Sequence, residues 1–229
     1  MGKDGPGRPA EVGTSLNEEK ASLRRAVFYG RRQARKLPAI AHDLLAGLLP
    51  RVRATVPPDL TDFDSWELEI GFGGGEHLAA RAAAHRDVGF LGAEPFLNGV
   101  SMLLQAIDRE SLTNVRIWPE DARLLLDALP DASMSRIYLL FPDPWPKRRH
   151  EKRRFLQTEM LDVFARVLKS GGELRFASDH PDLMDWMLAR ADAHAAFTGG
   201  LVEAEAIGTR YERKNLARHP ARYAAYRRF

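Results

Sequence analysis

From residue 66 onward the chain repeats one pattern: a short apolar run, a turn, then apolar positions at helical spacing. The runs "WELEIGF" (66–72), "VGFLGAE" (88–94), "NVRIWPED" (114–121), "RIYLLF" (136–141), "GELRFAS" (172–178) and "LVEAEAI" (201–207), with a last one inside 221–229, predict seven strands. Helices are predicted between them over 75–85, 96–109, 122–128, 152–168 and 181–194. Strands separated by helices imply crossover connections. The expected fold is therefore α/β: a doubly wound, mostly parallel seven-stranded sheet with helices on both faces and its ligand site beyond the carboxyl ends of the strands. Upstream, Leu37, Ile40, Leu44, Leu45 and Leu48 recur at helical spacing and predict an amphipathic helix that ends near "PRVRATVPPDL". Residues 1–21 are polar, rich in Gly and Pro and aperiodic, as a disordered tail is. The organisation expected is that tail, a basic helical extension over 22–58 and one α/β domain over 59–229.

Charge changes this picture more than composition does. The net charge is only +3. Yet residues 22–36, 147–154 and 209–229 together hold nineteen Lys or Arg against two acids, while the other 185 residues hold fifteen against twenty-nine. An acidic body with three basic segments, each carrying or abutting Tyr, Phe or Trp, is the pattern of a protein that meets a polyanion. The chain has no cysteine and no HExxH-like histidine spacing, so no disulfide, thiolate-zinc or other metal site is expected. No run approaches the length of a membrane span, and "MGKDGPGRPAEVG" lacks the apolar core of a signal peptide; a cytoplasmic location is the expectation.

Candidate chemistry gathers at the predicted strand ends. The first strand runs into "ELEIGFGGGEH", where Gly71, Gly73 and Gly75 would let the backbone turn tightly and approach a ligand. A dinucleotide fingerprint needs its third glycine at position 76, which is Glu76. With Glu69 leading the turn, the motif suits a cationic, phosphate-free cofactor such as S-adenosyl-L-methionine better than a pyrophosphate. Glu94 ends the second strand, where a carboxylate accepts ribose hydroxyls, and Asp121 ends the third, where it can accept from an adenine amino group. The fourth strand ends in "FPDPWPKRRHEKRR": three prolines restrict Asp143 and Trp145, and a block of cations follows at once. Aspartate, proline and an aromatic ring in this place are similar to the loops of enzymes that methylate base nitrogens. The cations from Lys147 to Arg154 would then run along a nucleic-acid backbone. Asp179 ends the fifth strand, and Thr209, Tyr211 and Glu212 combine a hydroxyl, a stacking ring and a carboxylate suited to an extruded base.

From "YGRRQARKL" at Tyr29 to the C-terminus, the chain resembles the bacterial tRNA (guanine-N7-)-methyltransferase family, most specifically in "FPDPWPKRRHEKRR". The resemblance implies a class I S-adenosyl-L-methionine-dependent enzyme that methylates N7 of a guanine in the variable loop of tRNA. It implies cofactor contacts at Glu69, Gly71, Gly73, Gly75, Glu94, Asp121 and Asp143, with Asp143 catalytic. It further implies substrate contacts at Lys147, Asp179, Thr209, Arg210, Tyr211 and Glu212. RNA contacts are implied at Arg149, His150, Glu151, Lys152, Arg153 and Arg154. Two positions depart from the family pattern: "GAEPFLNGV" around Glu94, and Asn215 where glycine is common. A non-catalytic RNA-binding module on the same fold, or a methyltransferase for another nucleic acid, are the alternatives. The sequence is compatible with a monomer or a homodimer.

Overall fold

The computed structural model describes residues 37–204 and 219–229. Seven strands form one sheet: β1 (Trp66–Ile70), β2 (Gly89–Ala93), β3 (Val115–Trp118), β4 (Met134–Leu140), β5 (Leu168–Ser178), β6 (Phe197–Val202) and β7 (Arg222–Arg228). Their order is β3-β2-β1-β4-β5-β7-β6. The pairs from β3 to β5 are parallel, and β7 runs antiparallel to both β5 and β6. The α/β sheet expected from the alternation is thus observed. Chain order reverses on either side of β1, whose neighbours are β2 and β4. A doubly wound sheet opens a crevice at that point.

Helices cover both faces. On one lie α3 (Glu76–Ala84) and α4 (Leu97–Glu110), with α1 (Ala39–Gly47) and α2 (Leu49–Val52) outside them; Leu78, Leu103, Leu104 and Ile107 meet Phe90, Val115 and Ile117. On the other lie α5 (Ala122–Ala128), α6 (Thr158–Val167) and α7 (Pro181–Ala193); Leu125, Leu161, Phe164 and Met184 meet Leu68, Ile70, Ile137 and Phe176. After α2, Ala54 N–H donates to the Ile117 carbonyl, so this segment partly covers the free edge of β3.

Three elements differ from the expectation. The helix predicted over 152–168 is a 3₁₀ turn at Arg148–Arg153 followed by α6 from Thr158. Between them the chain is extended at Arg154 (ψ 137°), and the Gln157 amide donates to the carbonyls of Glu151 and Arg154, fixing the break. β6 lies at 197–202, upstream of the predicted 201–207, of which residues 205–207 lie outside the described residues. Two glycines in "FTGGLV" mask its apolar alternation. At Gly199 they serve a close approach, because a Cβ there would meet the Ala225 carbonyl oxygen at 2.1 Å. In the N-terminal segment, Leu37 is buried and Leu44, Leu45 and Leu48 pack inward, but Ile40, in the first turn of the helix, is exposed.

The alternation "WELEI" suggests a strand with one wet face, yet all five residues are buried. Helix α3 supplies the reason. Arg81 reaches back to Glu67 through two hydrogen bonds of 2.9 Å, its guanidinium lying 5.0 Å over the Tyr138 ring. Arg136 adds a contact to Glu67 at 3.3 Å. Removing one partner of a buried pair leaves an uncompensated charge. Arg81→Ala leaves Glu67 with the longer Arg136 contact alone and is expected to destabilise the protein by up to about 3–5 kcal/mol, read as a lower urea midpoint at unchanged slope.

Candidate cofactor and substrate site

The crevice beside β1 holds a cavity of about 580 Å³ lined by Gly71, Glu94, Phe96, Asp121, Arg123, Asp143, Trp145, Arg153 and Phe155 among others. That volume is in the range of sites that enclose a cofactor-sized ligand. Four of the five strand-end acids expected at one rim sit around or beneath it, each in a different state.

Gly71, Gly73 and Gly75 have φ of 70°, 56° and 76°, the left-handed region that glycine alone enters without cost. The turn they build is fastened to Glu94. The amide of Gly73 donates to Glu94 Oε2, and the amide of Phe96 to Oε1, both at 2.9 Å. Glu94 is only 8% exposed, and its pKa is raised. Burial is the main cause; the two amides oppose it, and the charges of Asp143 and Glu69 add to it. Each carboxylate oxygen retains a lone pair beyond these bonds, so Glu94 can still accept from ligand hydroxyls.

Glu69 is placed differently from Glu94. It is 5% exposed and does not line the cavity; its Oε2 lies 2.8 Å from His77 Nδ1. An ionised carboxylate only accepts, so Nδ1 carries the proton. The His77 ring in turn meets Tyr138 edge-on at 4.8 Å. Asp121 caps α5, accepting from the Arg123 amide at 2.9 Å and from its guanidinium at 3.0 Å. Arg123 lies 4.7 Å over the Phe155 ring, forming one wall of the cavity.

Asp143 is exposed and faces the same cavity. Its loop carries two non-glycine residues at positive φ, Phe141 at 50° and Trp145 at 42°. Phe141 N–H donates to the Ala177 carbonyl at 2.9 Å, which ties the loop to β5, and Asp179 follows just beyond the end of that strand. The Trp145 ring sits between His150 (5.8 Å, edge-on) and the Arg153 guanidinium (4.9 Å).

The cation block divides. Lys147, Arg148, Arg149 and Lys152 are exposed, and His150, Glu151 and Arg153 are half-buried. The pKa of His150 is lowered by shielding from solvent and by Arg153, Arg149 and Lys147, which keeps the ring neutral near pH 7. Arg154 stands apart from the other cations. It is 5% exposed and donates to the Pro144 carbonyl. The expected substrate residues Thr209, Arg210, Tyr211 and Glu212 lie outside the described residues, as does the basic segment 22–36.

Sequence reasoning passed over His77, Phe96, Gly99, Arg123 and Phe155. Only Gly99 left a signal, an isolated glycine inside a helical pattern. A Cβ there would meet the Gly73 carbonyl oxygen at 2.0 Å, so the absence of a side chain lets α4 lie directly under the glycine turn.

A family model described as "Putative methyltransferase" matches residues 64–219. A tRNA (guanine-N(7)-)-methyltransferase of Paramagnetospirillum magneticum is 45% identical, over 95% of this chain and 99% of the relative. One of the same name from Rhodospirillum rubrum is 45% identical over 89% of this chain and 88% of the relative. Among solved structures, the 16S rRNA methyltransferase KamB aligns with a TM-score of 0.55 at 16% identity, over 73% of this chain and 89% of that one. A "putative methyltransferase" from Streptococcus mutans in complex with SAH aligns at 0.52 and 12% identity, over 86% of this chain and 100% of that one. At such identities these two structures speak for the fold.

Two outcomes are expected of the glycine turn and its carboxylate. Gly99→Ala gains helix propensity but drives a methyl into backbone, so its dissociation constant for S-adenosyl-L-methionine should rise by about tenfold or more, measured by calorimetry. Because burial holds the Glu94 pKa above its ordinary 4.5, ionised Glu94 costs the cofactor-free fold stability, and that stability returns as pH falls through the raised value. Ligand hydroxyls need the ionised form. Cofactor affinity should thus weaken as pH falls through that raised value, and Glu94→Gln, already weaker by on the order of tenfold, should lose most of that dependence.

Proposed function

The chain belongs to the tRNA (guanine-N(7)-)-methyltransferase family, and from that membership we propose that it transfers a methyl group from S-adenosyl-L-methionine to N7 of a guanine in the variable loop of tRNA, with Asp143 as the catalytic carboxylate. The observation that carries the reading is the meeting of two surfaces at one loop. Asp143 looks into the cavity that Glu94 and the glycine turn enclose, and the exposed cations Lys147, Arg148, Arg149 and Lys152 begin four residues later.

The cofactor supplies an electrophilic methyl group on a sulfonium. Its site would be built by the Gly71–Gly75 turn, Glu94 for the ribose hydroxyls, and the Asp121 side of the cavity for the adenine. Glu69 would act from beneath, at the positive end of the ligand, its carboxylate oriented by His77. Guanine N7 has a free lone pair and no proton to lose, so no general base is required at the attacked atom. As positive charge grows on the guanine ring, its N1 and N2 hydrogens become better donors. A carboxylate that accepts from this edge binds the transition state more tightly than the ground state, which is the condition for catalysis. Asp143 has that role in this reading, with Asp179 or Glu212 assisting. The exposed cations hold phosphates and set the position of the tRNA without reading its sequence. Lys147, Thr209, Arg210 and Tyr211 are the further substrate contacts in this reading.

No helix of the described residues is long and apolar enough to cross a membrane. The non-catalytic alternative gives no use for a buried carboxylate fastened to a glycine turn.

The test is incubation with labelled S-adenosyl-L-methionine and unmodified tRNA, followed by mapping of the product nucleoside. Methyl at N7 of a variable-loop guanine is expected. Asp143→Asn should lower kcat on the order of 10²-fold or more while cofactor binding persists; near-normal turnover in the folded variant would remove Asp143 from its role.

A further inference from the structure

Arg154 sits at the end of a cation run, yet it is built like a structural residue. It is 5% exposed, whereas the preceding cations are exposed or half-buried. Its Nε donates to the Pro144 carbonyl at 3.1 Å, and its guanidinium carbon lies 5.1 Å over the Trp186 ring of α7. The same indole carries a second cation, Arg190, at 3.5 Å. Arg190 feels the crowding: burial and then Arg154 lower its pKa, while Glu151 and Glu159 partly compensate. Two like charges on one ring are a costly arrangement, and no carboxylate lies within salt-bridge distance of Arg154 among the described residues.

What the arrangement holds is the residue directly after Asp143. The Asp143 loop contains two non-glycine residues in the left-handed region, Phe141 and Trp145, each of which a free chain would leave. One end is tied to β5 through Phe141 N–H. The other is tied through the Pro144 carbonyl to Arg154, and through Trp186 to α7. Proline at 144 has no N–H and a fixed φ, so a bond to its carbonyl constrains the one freedom left at that residue.

We propose that Arg154 is a positioning residue for Asp143: by clamping the Pro144 carbonyl against α7 it sets the catalytic carboxylate toward the cavity, and it makes no phosphate contact with tRNA. The proposal rests on the reading of Asp143 given above. It removes one cation from the RNA-facing set and assigns it, with Trp186, to the chemistry.

Kinetics and salt dependence separate the two roles. Each phosphate contact adds about 0.7 to 0.9 to the slope of log affinity against log salt concentration. The full chain, Arg154→Ala, Arg154→Lys and Lys152→Ala are compared for tRNA affinity between about 50 and 200 mM salt, and for kcat at saturating tRNA and cofactor. Arg154→Ala should lose on the order of tenfold to a hundredfold in kcat with the salt slope unchanged, while Lys152→Ala lowers the slope by about one contact. Arg154→Lys should fall between, since an ammonium can reach the carbonyl but cannot stack as a planar guanidinium. Trp186→Leu should reduce kcat as Arg154→Ala does, with Trp186→Phe restoring most of it; this pair carries the test should Arg154→Ala fail to fold. A drop in slope for Arg154→Ala with kcat intact would make it a phosphate contact and overturn the proposal, as would no change in either quantity. Absence of 7-methylguanosine with the unsubstituted protein is a separate result, which would overturn the functional reading itself.

Discussion

The site depends on one buried carboxylate. Glu94 directly follows β2, and its two oxygens accept from an amide in the turn after β1 and from an amide at the start of α4, so it ties together both sides of the crevice. The backbone can come that close only because Gly73 adopts a left-handed conformation and Gly99 presents no side chain to its carbonyl. An ionised group in this place costs free energy in the empty protein. A ligand that donates hydroxyls to it would recover part of that cost.

How much of this was legible in the sequence varies with distance along the chain. The α/β sheet, six of its seven strands and the placing of Glu94, Asp121 and Asp143 around the cavity follow from local alternation, because burial and pleat act over a few residues. Helix 152–168 did not: the Gln157 amide fixes its break by donating to the Glu151 and Arg154 carbonyls, and the Arg154 side chain is held by a carbonyl ten residues upstream and an indole thirty-two residues downstream. β6 was displaced because its two glycines carry no apolar signal while serving a close backbone approach. Glu69 and Glu94 look equivalent as strand-end acids. What distinguishes them is His77, an unremarked histidine on α3 that takes up one and leaves the other to face the cavity.

Charge tells a similar story at the level of single residues. The segment 147–154 is one basic block in sequence, but folding sorts it into exposed cations, a guanidinium over Trp145, a neutral histidine and a buried arginine. A count of charges describes the first group well and the rest poorly. The reason is that a short 3₁₀ turn rotates successive side chains by about 120°, so neighbours in sequence meet different surroundings.

The proline-flanked aspartate loop bears on transplantation. "FPDPWP" looks like a self-contained cassette, and three prolines suggest that it would keep its shape wherever it was placed. Its shape includes two backbone conformations that prolines do not enforce, held by a carbonyl of β5 on one side and by a cation stacked on α7 on the other. The smallest portable unit therefore spans four elements and runs from Phe141 to Trp186. Grafting the hexapeptide alone onto another α/β scaffold would carry the letters across and leave the geometry behind.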